Sequence, residues 1–229
     1  MEVSQKVKDL IGEAENKLAE QFAHIDAVAF ENTARIMEAF REHRVSAAMC
    51  NPTDGYGYDD KGRDTLDEIY AELFGTEAAL VRPQITCGTH ALTVALSANL
   101  LPGDELLSPV GMPYDTLQEV IGIRKSPCSL AEYGVSYRQV DLLADGSFDY
   151  EGIRNAINEK TKLVTIQRSK GYATRPTFSV KQIGELIAFV KSIKPDIICM
   201  VDNCYGEFVE TIEPSDVGAD MTVGSLIKN

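Results

Sequence analysis

Short apolar segments alternate with longer amphipathic segments along most of this chain, and this alternation restricts the fold more than any other feature. A short apolar run between turns is typical of a buried strand, whereas apolar residues three and four apart indicate a helix. Buried strands joined by helices predict an α/β fold, a mainly parallel sheet with helices on both faces. The predicted strands are 78–81, 105–108, 137–141, 162–166, 197–201 and 221–223, and the predicted helices are 63–74, 88–100, 115–123, 150–158 and 179–193.

The N-terminal part of the chain has a helical pattern without a strand signal. Val3, Val7, Leu10 and Ile11 recur at helical spacing with charged residues between them, and turn-forming residues follow over 51–58. The sequence therefore predicts an N-terminal helical arm over residues 1–50 and a large α/β domain over residues 51–229. The arm either packs on the core of its own chain or contacts a partner subunit, and the sequence leaves both open.

Charge and cysteine usage narrow the class of protein. The formal net charge of −13 disfavours binding to nucleic acid or to an anionic membrane surface. Residues 1–6 have neither the basic start nor the apolar core of a signal peptide, and no apolar stretch approaches transmembrane length. We expect a cytoplasmic protein without a metal site or a disulfide framework, because its cysteines are odd in number and scattered. They are Cys50, Cys87, Cys128, Cys199 and Cys204.

Residues with useful chemistry follow several of the predicted strands. In open parallel sheets, ligands bind at the carboxyl ends of the strands. That rule places Asp202, the Cys87-Gly88-Thr89 turn, the Met112-Pro113-Tyr114 segment and residues 225–228 along one edge of the sheet. We therefore expect these residues to lie close together around one ligand.

Lys228 and Asp202 form the pair with the most specific chemistry. A lysine amine can bond to the aldehyde of pyridoxal 5'-phosphate (PLP), and a carboxylate can keep the pyridine nitrogen of this cofactor protonated. The pair supplies both groups, although a solvated lysine and a turn-capping aspartate would give the same pattern.

The other residues at this edge match the remaining parts of PLP. Gly88 and Thr89 open a predicted helix whose free N–H groups suit a phosphate, and Ser225 adds a hydroxyl. Tyr114 is placed to stack on a flat ring and to transfer a proton. Together these parts predict that the domain over 51–229 binds PLP.

Three further reactive residues near this edge receive no catalytic role from the pattern alone. His90 lies in the first turn of a predicted helix, where histidine is more often a packing or capping residue. Cys87 and Cys204 flank the predicted site, but neither has an assignable base partner for nucleophilic chemistry.

Four runs of the sequence resemble one family of enzymes. They are 53–66 (TDGYGYDDKGRDTL), 84–91 (QITCGTHA), 201–207 (VDNCYGE) and 224–229 (GSLIKN). Over essentially its whole length the chain resembles the methionine gamma-lyase-like proteins, also called aluminium-resistance proteins. These belong to the cysteine/methionine-metabolism group of fold-type-I PLP enzymes.

The resemblance implies a reaction and a role for each matching residue. Lys228 would carry PLP and shuttle protons, Asp202 would hold the pyridine nitrogen, and Tyr114 would stack on the ring. The reaction would be a β- or γ-elimination from a sulfur amino acid by a homotetrameric carbon–sulfur lyase. The implied cofactor-binding residues are Cys87, Gly88, Thr89, Tyr114, Asp202, Ser225 and Lys228, with Tyr58 and Arg63 reaching the cofactor of a neighbouring subunit.

The chain departs from the family in two segments and in length. Ile227 stands where relatives with lyase activity have threonine before the lysine, and residues 168–172 replace a loop that carries an asparagine to the cofactor. Relatives continue past the lysine into a C-terminal domain with an arginine for the substrate carboxylate, so we expect the 229 residues alone to show no lyase turnover even if they bind PLP. Three functions stay open: methionine gamma-lyase-like elimination, a cystathionine β-lyase or sulfur-amino-acid transferase reaction, and a catalytically silent PLP-fold protein acting through its oligomer surface.

Overall fold

A parallel β-sheet lies at the centre of the computed structural model, which describes residues 3–53, 56–58 and 60–228. Its strands are β1 (Glu105–Ser108), β2 (Ser136–Gln139), β3 (Thr161–Gln167), β4 (Ile198–Asp202) and β5 (Met221–Val223). They lie in the order β2-β1-β3-β4-β5, and every neighbouring pair is parallel. The predicted α/β fold with a mainly parallel sheet is confirmed.

Seven α-helices accompany the sheet in the described ranges, and most begin and end close to the predicted limits. α7 begins with the predicted capping box, in which Ser179 and Gln182 exchange side-chain and backbone hydrogen bonds. The helices are α1 (Gln5–Lys17), α2 (Ala19–Glu42), α3 (Lys61–Leu73), α4 (Gly88–Asn99), α5 (Asp115–Ile121), α6 (Tyr150–Ala156) and α7 (Val180–Ile193), with short 3₁₀ segments at Ala47–Cys50 and Pro214–Val217.

Each face of the sheet has its own hydrophobic core, because successive strand residues point to opposite faces. Leu106 of β1 and Leu163 of β3 pack with the apolar residues of α4 and α5. Their neighbours Leu107 and Val164 pack on the other face with α6 and α7. Burial on both faces explains why these strands are continuous apolar runs rather than alternating ones.

The N-terminal helices attach to the domain through polar contacts from α2. Asn32 Nδ2 donates to the carbonyls of Phe208 and Glu210, at 2.9 and 3.0 Å. Arg35 donates to the Leu73 carbonyl at the end of α3. α1 buries none of its residues, so its apolar side chains remain exposed on this chain. Within the described part of the chain, no helix is both long and apolar enough to cross a membrane.

The strand predicted over 78–81 is wrong. This segment carries no helix or strand, and Leu80 is 61% exposed. The Val81 amide donates to the side chain of Asp67 at 2.8 Å, where a strand would bond to a neighbouring strand. A short apolar run forms a strand only where another strand can satisfy its backbone, and that partner cannot be read from the run itself.

Candidate functional site

A cleft of about 440 Å³ opens at the carboxyl edge of the sheet, where β3 and β4 end. The residues that line it come from the ends of β3 and β4, from the loops after β3, β4 and β5, and from the starts of α4 and α5. They include Gly88, Thr89, Tyr114, Gln167, Lys170, Tyr172, Asp202, Cys204, Tyr205 and Lys228. The structure thus brings together five residues that the sequence predicts for the site, from segments far apart in the chain.

Asp202 is the last residue of β4 and places a buried carboxylate at the floor of the cleft. The Cys204 amide donates to its Oδ1 at 3.2 Å. Burial raises the pKa of Asp202, while the Cys204 hydrogen bonds and the positive charges of Lys228 and Arg175 act in the opposite direction. A buried carboxylate of this kind is stabilised by a cationic N–H donor, which is what a protonated pyridine nitrogen offers.

The raised pKa of Asp202 predicts how the stability of the cofactor-free chain depends on pH. Because the folded-state pKa lies above the ordinary value of 3.8, ionisation on raising the pH costs stability. Asp202→Asn removes that cost, so its melting temperature should rise relative to the parent chain as the pH increases above the ordinary pKa of 3.8. Thermal unfolding at stepped pH measures the difference.

Asp145→Asn is the control, because its effect on stability should change with pH in the opposite direction. Hydrogen bonds from the Ser147 hydroxyl and amide lower the pKa of Asp145, so its contribution to stability is lost as the pH falls. The Asp145→Asn chain should therefore lose stability relative to the parent as the pH rises. A melting difference for Asp202→Asn that does not change with pH would contradict the assigned burial of this carboxylate.

Lys228 lies in a turn after β5 that is tied to the loop following β4. The Lys228 amide donates to the Ser225 carbonyl at 3.0 Å, and the Ser225 amide donates to Glu207 Oε1 at 2.6 Å. The lysine Nζ lies 4.7 Å from the centre of the Tyr205 ring. These contacts bring the amine and the Asp202 carboxylate to the same cleft.

The N-terminus of α4 supplies the anion-binding end of the cleft. Cys87 is the N-cap residue in an extended conformation, and its side chain makes no capping hydrogen bond. The first-turn N–H groups of a helix have no partner within the helix and attract anions. The Thr89 hydroxyl joins this end through a 2.8 Å hydrogen bond with the Thr116 hydroxyl.

Gly88 is required at the start of α4 because two other loops approach it closely. A Cβ at this position would lie 3.1 Å from the Cys204 sulfur and 3.7 Å from the Ser225 Cβ. Ser225 therefore lies beside the helix N-terminus, as a shared phosphate site requires.

This packing predicts the effect of Gly88→Ala. The added methyl group would lie only 3.1 Å from the sulfur of the buried Cys204, and overpacking of this kind usually costs about 1–3 kcal/mol. Urea unfolding of the cofactor-free chain should show this loss. The double variant Gly88→Ala with Cys204→Ala should recover most of it relative to Cys204→Ala alone. Equal losses in both backgrounds would mean that the sulfur is not the obstacle.

Tyr114 lies between the cleft and a neighbouring cavity of about 510 Å³. Its amide donates to Gln167 Oε1 at 2.8 Å, and its ring centre lies 6.2 Å from that of Tyr172. Loss of water around the phenol and the nearby Asp115 carboxylate raise the pKa of Tyr114. The hydroxyl is therefore a proton donor at neutral pH and not a ready base.

Gln167, Tyr205 and the neighbouring Arg168 are among the residues at or beside the cleft for which the sequence analysis predicts no role. Gln167 ends β3 as Asp202 ends β4, so the strand-end rule could have found it. Tyr205 follows Asp202 closely in the chain, yet nothing in its type indicates that its ring contacts a lysine. Arg168 is only 2% exposed and donates to Asn203 Oδ1 and to the Gly206 carbonyl, contacts that depend on the tertiary structure.

Several predicted residues lie outside the cleft lining in the described ranges. Tyr58 is 81% exposed, and Arg63 forms an ion pair with Asp60 at 3.3 Å, so their role toward a neighbouring subunit stays a prediction. His90 Nδ1 accepts a hydrogen bond from the Thr86 amide, consistent with a capping role. Cys87 is exposed at its N-cap position. Asp54, Gly55, Asp59 and Asn229, which belong to the runs that carry the resemblance, lie outside the described residues.

The cleft fits PLP in each of its parts. A buried carboxylate, an amine and an uncapped helix N-terminus line one cavity, and the Cβ that Gly88 lacks would fill the space beside Cys204. Burial raises the pKa of the Cys204 thiol, which keeps it protonated and makes it a poor nucleophile. The residues thus suit a covalently held anionic cofactor better than cysteine-based chemistry.

Comparison with known proteins identifies relatives of similar sequence and fold. Residues 7–229 match the methionine gamma-lyase family. The protein YnbB of Bacillus subtilis, whose function is uncharacterized, is 52% identical over 219 residues, which are 95% of this chain and 52% of YnbB. A crystal structure from Listeria innocua, described as a candidate cystathionine beta-lyase involved in aluminium resistance, superposes with a TM-score of 0.95 at 49% identity, covering 99% of this chain and 56% of that one.

A more distant structure shares the fold alone. It is a candidate O-acetylhomoserine (thiol)-lyase from Campylobacter jejuni that contains a pyridoxyl-lysine phosphate residue. It is 21% identical, with a TM-score of 0.54, and covers 72% of this chain and 36% of its own. The present chain spans about half the length of YnbB and of the Listeria innocua protein. Its fold is that of the fold-type-I PLP enzymes, and the chain belongs to the methionine gamma-lyase family.

Proposed function

We propose that this chain is the cofactor-binding domain of a PLP-dependent carbon–sulfur lyase that acts on a sulfur amino acid. The observation that carries the proposal is the convergence of Lys228, Asp202 and the uncapped N-terminus of α4 on one cleft. A metal-based or cysteine-based lyase would not need this combination. Membership of the methionine gamma-lyase family supports the same reaction class.

Lys228 and Asp202 have different roles in the proposed reaction: the flexible lysine side chain moves, and the buried aspartate stays in place. When bound, PLP supplies an electron sink that stabilises the negative charge left at a substrate carbon after proton removal. Lys228 would hold the cofactor through its Nζ and would supply the amine that moves a proton at the substrate carbon. Asp202 holds a proton on the pyridine nitrogen, and its place at the end of a buried strand fixes its position.

The remaining residues of the site would bind the cofactor and orient its ring. The first-turn N–H groups of α4, together with Thr89 and Ser225, would bind the phosphate of the cofactor. Tyr114 would stack on the ring, and its raised pKa keeps the phenol protonated, so that the hydroxyl can donate a hydrogen bond.

A substrate panel tests the proposal. We expect the purified full-length protein, supplied with PLP, to release a 2-oxo acid from cystathionine, cysteine or methionine. A Lys228→Ala protein is the control and should show no release. Added thiol acceptors separate elimination from transfer, because a transferase would form a new thioether in place of the 2-oxo acid. Cofactor binding without turnover of any sulfur amino acid would contradict the lyase proposal and favour a catalytically silent role.

We further propose that the protein acts in the cytoplasm as a homotetramer, a dimer of dimers in which Tyr58 and Arg63 approach the neighbouring cofactor. The exposed apolar side chains of α1 support association, since Val7, Leu10 and Ile11 are 44%, 66% and 50% exposed on their own chain. Light scattering coupled to size-exclusion chromatography measures the mass in solution. A monomer at micromolar concentration would contradict the assembly.

A further inference from the structure

Tyr205 has an unusual backbone and an unusual exposure for a large aromatic residue. Its φ angle is +71°, in the left-handed region that non-glycine residues rarely adopt. Its side chain is 58% exposed and lines the cleft. A strained residue of this kind persists only where its surroundings hold it in place, and such residues cluster at functional sites.

Hydrogen bonds fix the chain on both sides of Tyr205. The Asn203 amide donates to the Val223 carbonyl of β5 at 2.8 Å, and the Gly206 amide donates back to the Asn203 carbonyl at 2.6 Å. The buried Arg168 guanidinium donates to the Gly206 carbonyl at 2.7 Å and to Asn203 Oδ1 at 2.8 Å. The tyrosine ring is therefore presented by a rigid turn.

The ring of Tyr205 contacts the one atom on which the proposed chemistry depends. Lys228 Nζ lies 4.7 Å from the ring centre, within the range in which the face of an aromatic ring attracts an ammonium group. Lysine carries its amine on a flexible stem, so a free amine would otherwise sample many positions. The ring restricts that sampling to the side of the cleft that holds Asp202.

We propose that Tyr205 is a positioning residue that holds the Lys228 amine over its ring whenever the amine is not bonded to the cofactor. This inference rests on the proposed function only in taking Lys228 as the lysine that carries the cofactor. The contact itself is a property of the cofactor-free chain, so it can be tested without turnover.

The contact is measured by NMR of the cofactor-free chain after reductive methylation of its lysines with ¹³C-formaldehyde. Methylation keeps the positive charge, and Lys228→Arg assigns the Lys228 signal by its disappearance. A methyl group over the face of an aromatic ring resonates upfield of those on exposed lysines. We expect the Lys228 signal to be displaced upfield in the parent chain and in Tyr205→Phe, which keeps the ring.

Tyr205→Asn removes the ring while suiting the backbone, because asparagine tolerates positive φ. In this variant the Lys228 signal should return to the position of exposed lysines, whereas Tyr133→Leu, at an exposed tyrosine outside the cleft lining, should leave it displaced. A Lys228 signal that coincides with exposed lysines in the parent chain overturns the proposal, whether or not any variant folds. An upfield signal that survives in folded Tyr205→Asn overturns it as well.

Turnover gives a second readout, and this one requires the proposed function to be correct. In an active full-length protein, Tyr205→Asn should lower kcat about two- to five-fold with KM unchanged, the usual strength of a partly exposed cation–π contact. Tyr205→Phe should restore kcat. Absence of any lyase activity would contradict the proposed function while leaving the NMR result to decide on Tyr205. A rise in KM without a fall in kcat would instead assign Tyr205 to substrate binding and overturn the positioning role.

Discussion

Replacing Lys228 with alanine should abolish covalent attachment of PLP to this protein. Borohydride reduction of the parent protein in the presence of PLP should fix one cofactor on the peptide that contains Lys228. The Lys228→Ala protein should gain no such mass and lose the associated absorbance at about 420 nm. The reason is geometric, since Lys228 Nζ lies in the same cleft as the Asp202 carboxylate. Peptide mass spectrometry after reduction is the measurement.

Lys170→Ala is the matched control, because Lys170 also lines the cleft. Lys170 follows β3 and Lys228 follows β5, so the two lysines lie on opposite sides of β4, the strand that ends at Asp202. This variant should keep the cofactor on Lys228. Reduced cofactor found on Lys170 or Lys162 of the parent protein would refute the assignment of the lysine.

Asp202→Asn should separate cofactor binding from catalysis in the full-length protein. Asparagine keeps the shape of the side chain but cannot hold a proton on the pyridine nitrogen by charge, so the electron sink weakens. We expect PLP to remain bound while kcat falls by about 10²-fold or more, the usual effect of removing one fixed electrostatic contact from an active site. Steady-state kinetics beside the absorbance of the bound cofactor measure both effects.

Two control variants test whether the loss of kcat is due to the charge at position 202. Asp202→Glu retains the charge and should keep more activity than Asp202→Asn, although the buried site limits how well the longer side chain fits. Asp145→Asn removes a carboxylate that lies outside the cleft lining and should not change kcat. Full turnover by Asp202→Asn with the cofactor in place would exclude this carboxylate as the partner of the pyridine nitrogen.

The sequence predicts most of the sheet because the evidence for each element is local. The apolar run before Asp202 and the capping box at Ser179 carry their own signals, and both occur as predicted. The segment 78–81 has an equally apolar sequence but forms no strand, since strand formation depends on a neighbour elsewhere in the chain. The order β2-β1-β3-β4-β5 likewise depends on tertiary packing that no single segment encodes.

The residues of the candidate site also differ in whether they could be predicted from local sequence. Asp202, Gly88 and Lys228 could be predicted because their chemistry follows from residue type and from their place at the ends of strands. Tyr205 and Arg168 could not, because the role of each comes from contacts between segments: a ring against a lysine, and a buried guanidinium across a turn. The roles of all these residues toward a cofactor stay predictions until the variants are measured.

The separation of the two cores suggests where this protein can be engineered safely. Ile183, Leu186 and Val190 of α7 belong to the core on the sheet face that carries α6 and α7, whereas the cleft lies at the carboxyl edge of the sheet. Directed evolution for thermal tolerance can therefore repack the α7 face, with substitutions of similar total volume, at little risk to cofactor affinity. Libraries aimed at new substrates belong at the carboxyl edge, among the loops after β3 and β4. Substitutions for stability and substitutions for substrate specificity can therefore be made in different parts of the fold.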